Sequence, residues 1–388
     1  MSAPPSLDQI RAMIADDSLE QAIELLKEHP GVRDGALHRE CLGHAGRLAH
    51  LRQRKRRGEL GVEQEVVERN RQRAALLELV DEVGQVTRPV AGTAHERDAS
   101  ASPRDDAAPV DILLVTILPE EYAAVLCRLN EVRPVQGTTD APNLYGWRLG
   151  TIARLGGGYY RVALALVGRA GNTGASQAVA RSAERWKPRY ALLVGIAGGL
   201  PREGCAVGDV VVSTEIYGYE YGKIDGGFQP RPNWTYQVDR GLLNSAQGFS
   251  VASLEWWTGG GVAPKVLFGP VASGEKVVED PVEPFFAAVV KQWPKLQAVE
   301  MEGAGAAAAI DELHAVGKDA IGFLMVRGIS DMPRPLAERP GLADQANQTG
   351  ERDTNKKRAC DAAAAFAVSW IASEWPVGPR ASVPAGAA

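Results

Sequence analysis

Three runs near the start, SLDQIRAMIADDSLEQAIELLKEH, ALHRECLGHAGRLAHLRQRKRRGEL and GVEQEVVERNRQRAALLELVDEVG, repeat apolar residues every three or four positions. That spacing puts the apolar side chains on one face of a helix, so three helices are predicted, forming a small all-α domain over residues 1–84. From Gln85 to Pro109 the chain reads QVTRPVAGTAHERDASASPRDDAAP, which has almost nothing to bury and predicts a disordered linker over 85–109. Beyond it come short β-rich runs: VDILLVTIL, YRVALALVG, RYALLVGIA, DVVVSTEI, KVLFGPVAS and IGFLMVRGI. They alternate with helical segments such as ASQAVARSAERW, which predicts an α/β domain over 110–375 with helices covering a largely parallel or mixed sheet. Residues 376–388 read as a disordered tail, and no repeat at a fixed period is present.

Composition narrows the partners. A chain of 388 residues with 45% hydrophobic content holds two or three domains with a sizeable core. Its net charge of -5 gives no global attraction to nucleic acid or to an anionic membrane. The basic run Arg52 to Arg57, RQRKRR, is balanced by acids within the module and has no interleaved aromatics to stack on bases, so it reads as a solvated helix end. No stretch approaches the ~20 apolar residues of a membrane span, and MSAPPSLDQI lacks the basic start and apolar core of an export signal; a cytoplasmic location is expected, without membrane or nucleic-acid partners. Cys41, Cys127, Cys205 and Cys360 lie far apart without a CxxC pair, and are expected to be buried free thiols rather than zinc ligands or disulfides.

The histidines remove several mechanisms. His29, His38, His44, His50 and His95 lie in the helical module or linker, leaving His314 alone in the α/β domain, where DELHAVG suggests a surface or packing role. A Ser-His-Asp or Cys-His arrangement and a zinc site are therefore short of parts, and no metal or cofactor is expected. GYEYGKI has neither the spacing of a Walker loop nor its hydroxyl, since Ile224 stands there. GRAGNTG, Gly168 to Gly174, follows a strand and opens a helix; it reads either as backbone N–H groups aimed at a phosphate or hydroxyl, or as a tight turn. What remains is carboxylates at strand ends: Glu120 and Glu121 after DILLVTIL, Glu300 and Glu302 in VEMEG, and Asp331 after FLMVRGIS. Ligands of α/β sheets bind at such ends, so these acids are candidates to converge on a site.

Four blocks in order, TILPEEYAAV, LLVGIAGGLPREGCAVGDVVVS, AVEMEGAGAAA and VRGISD, make the part from Val110 to Trp375 resemble the nucleoside phosphorylase and nucleosidase superfamily, most of all its methylthioadenosine/S-adenosylhomocysteine nucleosidase branch. The resemblance implies a three-layer α/β/α domain with a central mixed sheet. It also implies that Glu302 accepts hydrogen bonds from ribose hydroxyls and that Met301 packs on the sugar. The small residues behind them would let the helix sit close to the sheet, with Glu300 behind Glu302. Asp331 would serve N7 of a purine, oriented by Ser330; Glu121 would activate water; Val277 and Val278 in SGEKVVED would contact the base; Gly195, Ala197 and Gly198 would form the glycine-rich site loop. The helical stretch LAHLRQRKRRGELGVEQEVVERNRQRAALLELVDEV resembles a bacterial effector-associated, death-fold-like adaptor, implying a helical adaptor partner for residues 1–84.

Two features depart from the nucleosidase pattern: Ile196 stands where that branch has a small polar residue, and PRPLAERPGLADQANQTGERD after Asp331 reads as an added loop. The segment YGYEYGKIDGGFQPRPNW resembles a variant branch fused to signalling modules of bacterial defence, which makes Lys223, Arg231 and Arg169 candidate phosphate contacts. The expected activity is cleavage of the glycosidic bond of a purine nucleoside or nucleotide, such as ATP, by a homo-oligomer of at least two chains acting as a defence or signalling effector. Such a cleavage builds positive charge on the sugar and negative charge on the departing base, which acids at both ends stabilise. Phosphorolysis, with Gly195, Arg169 and GRAGNTG holding the anion, is the alternative, and a non-catalytic nucleotide sensor is a third.

Overall fold

The computed structural model describes residues 6–15, 18–29, 32, 36–56 and single positions between 72 and 83, then 108–135, 144–200, 204–252, 256–260, 262–315, 320–334 and 345–378. The chain divides into two compact units, Met1–Asp105 and Asp106–Ala388.

In the first unit the opening run forms two helices, α1 (Leu7–Ala15) and α2 (Leu19–Glu28), where the pattern predicts one. Ser18, before α2, lies outside the helix; serine competes for backbone hydrogen bonds and favours helix ends. The second run is α3 (Ala36–Arg56). Of the third, Gln72, Leu76, Leu79, Val80 and Val83 are described, all helical and buried at the predicted spacing. Ile10, Ile14, Leu19, Ile23, Leu26 and Leu48 are buried in this unit as well. His44 Nδ1 meets Gln72 Oε1 at 3.2 Å, and in the basic run Arg52 pairs with Glu20 at 2.6 Å. Apart from its last two residues, the predicted linker lies outside the described residues, as does the tail from 379 onward.

The second unit is built on β1 (Ile112–Thr116), β2 (Asn130–Pro134), β3 (Leu144–Ala153), β4 (Tyr159–Val167), β5 (Tyr190–Gly199), β6 (Val210–Gly218), β9 (Thr235–Gln237), β10 (Val266–Ser273), β11 (Ala298–Glu300) and β12 (Gly322–Asp331). Their order is β11-β10-β6-β12-β5-β1-β4-β3-β2, with β9 on β6. The sheet is mixed: β1 runs parallel to β4 and β5, and β12 is parallel to β5 but antiparallel to β6. It also closes on itself, because β11 pairs antiparallel with the end of β5, Ala298 opposite Gly199. The separate hairpin β7 (Gly222–Ile224) and β8 (Phe228–Pro230) leans on α7 (Pro284–Gln292) through stacked Phe228 and Phe285.

All five β1 residues, ILLVT, are buried, as expected of a parallel strand covered on both faces. Between strands lie α4 (Pro119–Leu126), α5 (Asn172–Trp186), α6 (Arg240–Ala252) and α8 (Gly303–Ala315), and α9 (Gln345–Glu374) follows the last strand. Trp186, Trp370, Phe249 and Phe366 are fully buried, each large apolar side chain contributing ~1.5–3 kcal/mol of transfer free energy. The small residues of α8 serve its approach to α5 more than to the sheet: a Cβ at Gly305 would collide with the Asn172 carbonyl. The segment read as an added loop after Asp331 is helical from Gln345, the start of α9, whose Ala-rich second half packs on β12. The expected tail begins as an anchored strap, with Tyr160 Oη donating to Val377 O at 2.9 Å.

Cys41 and Cys360 are buried free thiols; Cys127 is exposed and Cys205 half-buried. Cys127 departs from expectation because it ends α4, where its thiol donates to Ala124 O. His314 is exposed, in keeping with the surface reading, and its Nε2 accepts from Ile321 N at 2.9 Å. Among the described residues no helix is long and apolar enough to cross a membrane, and no His/Cys/Asp/Glu group is arranged to hold a metal ion.

Candidate active site

Glu121 follows β1 on the first turn of α4 and folds back on its own entry. Its Oε2 accepts from Ile117 N at 2.8 Å and Leu118 N at 2.9 Å. Its Oε1 reaches across to β5 and accepts from Ile196 N at 2.8 Å. The side chain is buried. Burial pushes its pKa up, while Arg327 and those three backbone N–H groups pull it down; the net shift is upward.

The VEMEG block turns from β11 into α8 with its two acids doing different work. Glu300 caps the helix, accepting from Glu302 N at 3.0 Å and Gly303 N at 2.9 Å, and takes an ion pair from Arg327 Nη2. A carboxylate suits the positive end of a helix. Glu302 points back: Oε1 accepts from Gly171 N at 3.1 Å and Oε2 lies 3.3 Å from Arg327 Nη2. Burial raises the Glu302 pKa to about 7; Arg327 opposes the shift, and Glu300 and Glu121 add to it. Met301 between them is half-buried.

The residue that joins these acids is Arg327, which the sequence reading did not single out. It stands in the middle of β12 directly opposite Gly195, fully buried. Its Nη1 lies 3.9 Å from Glu121 Oε1, and neither Nη1 nor Nε has a hydrogen-bond partner among the described residues. Burial would lower its pKa, but Glu300, Glu302 and Glu121 outweigh that and hold it charged. The available signal was a charged residue inside the apolar run FLMVRGIS. Gly195 admits the cluster, because a Cβ there would collide with both Arg327 Nη1 and Glu121 Oε1. Gly198 is not demanded by space: a Cβ would meet Val299 and Pro333 at ordinary contact distances of 3.5 and 3.6 Å.

Four residues further along β12, Asp331 ends the strand opposite Gly198. Ser330 Oγ lies 2.6 Å from Asp331 Oδ1 and 3.4 Å from Ala197 O, so the shorter contact orients the acid. Of the two valines in the SGEKVVED loop, Val277 is 68% exposed, and Val278 packs on the core around Tyr219 and Phe286. The loop is clamped from behind, where Glu220 accepts from Glu275 N at 3.1 Å and from Lys276 Nζ.

The candidate phosphate contacts lie on two separate segments of the chain. Arg169 is exposed on the GRAGNTG turn. Lys223 and Arg231 belong to the β7–β8 hairpin, where Lys223 pairs with Asp225 at 2.5 Å and Arg231 N bonds Tyr221 O at 2.8 Å. Two N–H groups of the turn are taken by the chain's own carboxylates rather than left for an anion: Gly171 N by Glu302, and Asn172 N by Glu275 at 2.9 Å.

The profile of effector-associated domain 11 matches residues 5–84, and that of the phosphorylase superfamily matches residues 111–371. The chain is 29% identical over 171 residues to a 5'-methylthioadenosine/S-adenosylhomocysteine nucleosidase of Geobacillus sp., covering 42% of this chain and 64% of that protein. It is 29% identical over 160 residues to the same-named protein of Desulfotalea psychrophila, covering 39% and 58%. The chain thus spans about three-fifths of the length of these curated relatives. Among solved structures, the nucleosidase of Colwellia psychrerythraea in complex with adenine superposes with a TM-score of 0.51 at 18% identity, over 68% of this chain and 95% of that one. A nucleosidase described as from Borrelia burgdorferi, bound to adenine, gives 0.52 at 19% identity, over 67% and 98%. At such identities the likeness is one of fold, and with the profile match across most of the second unit it establishes that the chain belongs to the phosphorylase superfamily.

Proposed function

We propose that the protein hydrolyses the N-glycosidic bond of a purine ribonucleoside or ribonucleotide and releases the free base. The observation that carries this reading is the cluster over Gly195, where Glu121 Oε1 stands 3.9 Å from Arg327 Nη1, an atom with no hydrogen-bond partner among the described residues. A water between them donates to the carboxylate and accepts from the guanidinium, which prepares it to attack the anomeric carbon. Glu302 accepts from the ribose hydroxyls and faces the positive charge that grows on the sugar, with Met301 packed beside it. Asp331, held by Ser330, delivers a proton to the purine as it leaves, and Val277 and Val278 flank the base. The three acids thus come from different strand ends, as the chemistry of the two separating fragments requires.

Water is favoured over phosphate by charge. Three buried carboxylates surround one guanidinium, so a phosphate dianion entering the cluster meets a net negative field. Two N–H groups of the GRAGNTG turn, those of Gly171 and Asn172, are occupied by Glu302 and Glu275 and do not serve an anion. The named relatives act on methylthioadenosine and S-adenosylhomocysteine, and adenine is the base proposed here. An adenine nucleotide such as ATP remains the preferred substrate on the strength of Arg169 and Arg231, both exposed.

The match to effector-associated domain 11 supports a role as an effector, in which residues 1–84 recruit an adaptor and take no part in catalysis. The test is incubation of the pure chain with nucleosides and nucleotides, with and without phosphate, and detection of free base. Adenine released equally in both buffers is the expected result; sugar 1-phosphate formed only with phosphate would replace hydrolysis by phosphorolysis. Methylthioadenosine cleaved much faster than ATP would reject the nucleotide substrate.

A further inference from the structure

The GRAGNTG turn holds a residue with no role in the scheme above. Asn172 is half-buried at the first position of α5, next to the Gly171 N–H that binds Glu302. Its Oδ1 accepts from Gly305 N at 2.7 Å and lies 3.0 Å from Ser273 Oγ. A backbone N–H can only donate, so the Gly305 bond fixes which end of the amide is oxygen. Ser273 Oγ in turn accepts from Ala304 N at 2.9 Å, and its proton therefore goes to Asn172. The backbone of Asn172 is fixed as well, by Glu275 Oε1 on its N–H. The side chain is thus locked through its oxygen, and its amide nitrogen keeps two donor hydrogens with no partner among the described residues.

We propose that Asn172 is a substrate-binding residue whose Nδ2 donates to a ribose hydroxyl, the same hydroxyl pair that donates to Glu302. This rests on the ribonucleoside reading of the site. The chemistry of a sugar diol asks for such a pair: each hydroxyl donates one proton and accepts others, and a carboxylate alone satisfies only the first half. A neutral donor beside Glu302 completes recognition, and a substrate lacking the hydroxyl leaves a donor and an acceptor unmatched, which is a strong basis for discrimination. The Oδ1 contacts to Gly305 and Ser273 supply the rigid support such a donor needs.

Asn172→Asp separates binding from support. One carboxylate oxygen still accepts from Gly305 and Ser273, while the donor becomes an acceptor. Calorimetric binding of adenosine, 2'-deoxyadenosine and 3'-deoxyadenosine is measured alongside base release for wild type and Asn172→Asp. The variant is expected to melt within a few degrees of wild type, to bind adenosine at least ~10-fold more weakly, and to bind one of the two deoxynucleosides as wild type does. Loss of equal size on all three ligands would overturn the proposal, as would unchanged binding of adenosine. If Asn172→Asp fails to fold, Asn172→Ser, too short to place the donor, is read by the same comparison. Wild type that binds adenosine but releases no base would sink hydrolysis and leave the binding comparison intact.

Discussion

Arg327 and Gly195 face each other across β5 and β12, and the guanidinium of one occupies the space that the other leaves by having no side chain. The pair explains why a fully buried arginine is tolerated: three carboxylates reach it over a glycine that keeps the strand surface flat.

Gly195→Ala should therefore damage the site out of proportion to its size. The added methyl collides with Arg327 Nη1 and Glu121 Oε1 and must push them apart. Overpacking of this type costs ~1–3 kcal/mol. Base release is expected to fall by at least ~100-fold, since the water-holding groups lose their geometry. Unfolding is read by tryptophan fluorescence, which reports the second unit alone because all 8 tryptophans lie there. Turnover near the wild-type rate would show that the spacing of Arg327 and Glu121 does not matter.

Much of this was legible in the chain. Glu121, Glu302 and Asp331 stand out as candidates because acids at the ends of apolar β-rich runs are conspicuous, and the runs themselves form β1, β4, β5, β6, β10 and β12. Among the strands without a clear signal, β2 reads NEVRP, with no apolar alternation, and β11 is three residues long. Arg327 escaped because its partners are distant in sequence and meet only when β12 lies beside β5. The same holds for the GRAGNTG turn, whose N–H groups looked available until Glu302 and Glu275 folded onto them.

Glu121→Gln removes the proposed base but keeps an oxygen for Ile117 and Leu118. It should be almost inactive, losing ~100- to 10,000-fold, and should lose ~1–3 kcal/mol of stability, because its amide nitrogen turns a donor toward Ile196 N–H, which Glu121 Oε1 accepts. Added phosphate should not restore it. Restoration by phosphate would mean that Glu121 serves only to exclude an anionic nucleophile.

Asp331→Asn keeps size and polarity, and Ser330 can donate to its amide oxygen as it does to the acid. Purine binding should persist while base release drops by at least ~100-fold. A substrate with a better leaving group, such as a nitrophenyl riboside, should lose far less, because it departs without a proton. Equal losses on both would place Asp331 outside proton delivery.

Glu302 gives the pH dependence its sign. Its folded pKa of about 7 lies above the ordinary carboxylate value of 4.5, so the folded chain holds a proton that the unfolded chain has already released between those values. This contribution to stability is complete below about 4.5 and is lost as pH rises through about 7; Glu121, also raised, acts in the same direction. For Glu302 the loss is on the order of 3 kcal/mol. Urea unfolding at pH 5 and pH 8 should show wild type losing more stability than Glu302→Gln, which stays neutral throughout. Activity should move oppositely, rising across pH 6 to 8 as Glu302 ionises to accept the ribose hydroxyls. The protein would then be least stable where it is most active, and a wild-type loss no larger than that of Glu302→Gln would show that Glu302 is already ionised at pH 5.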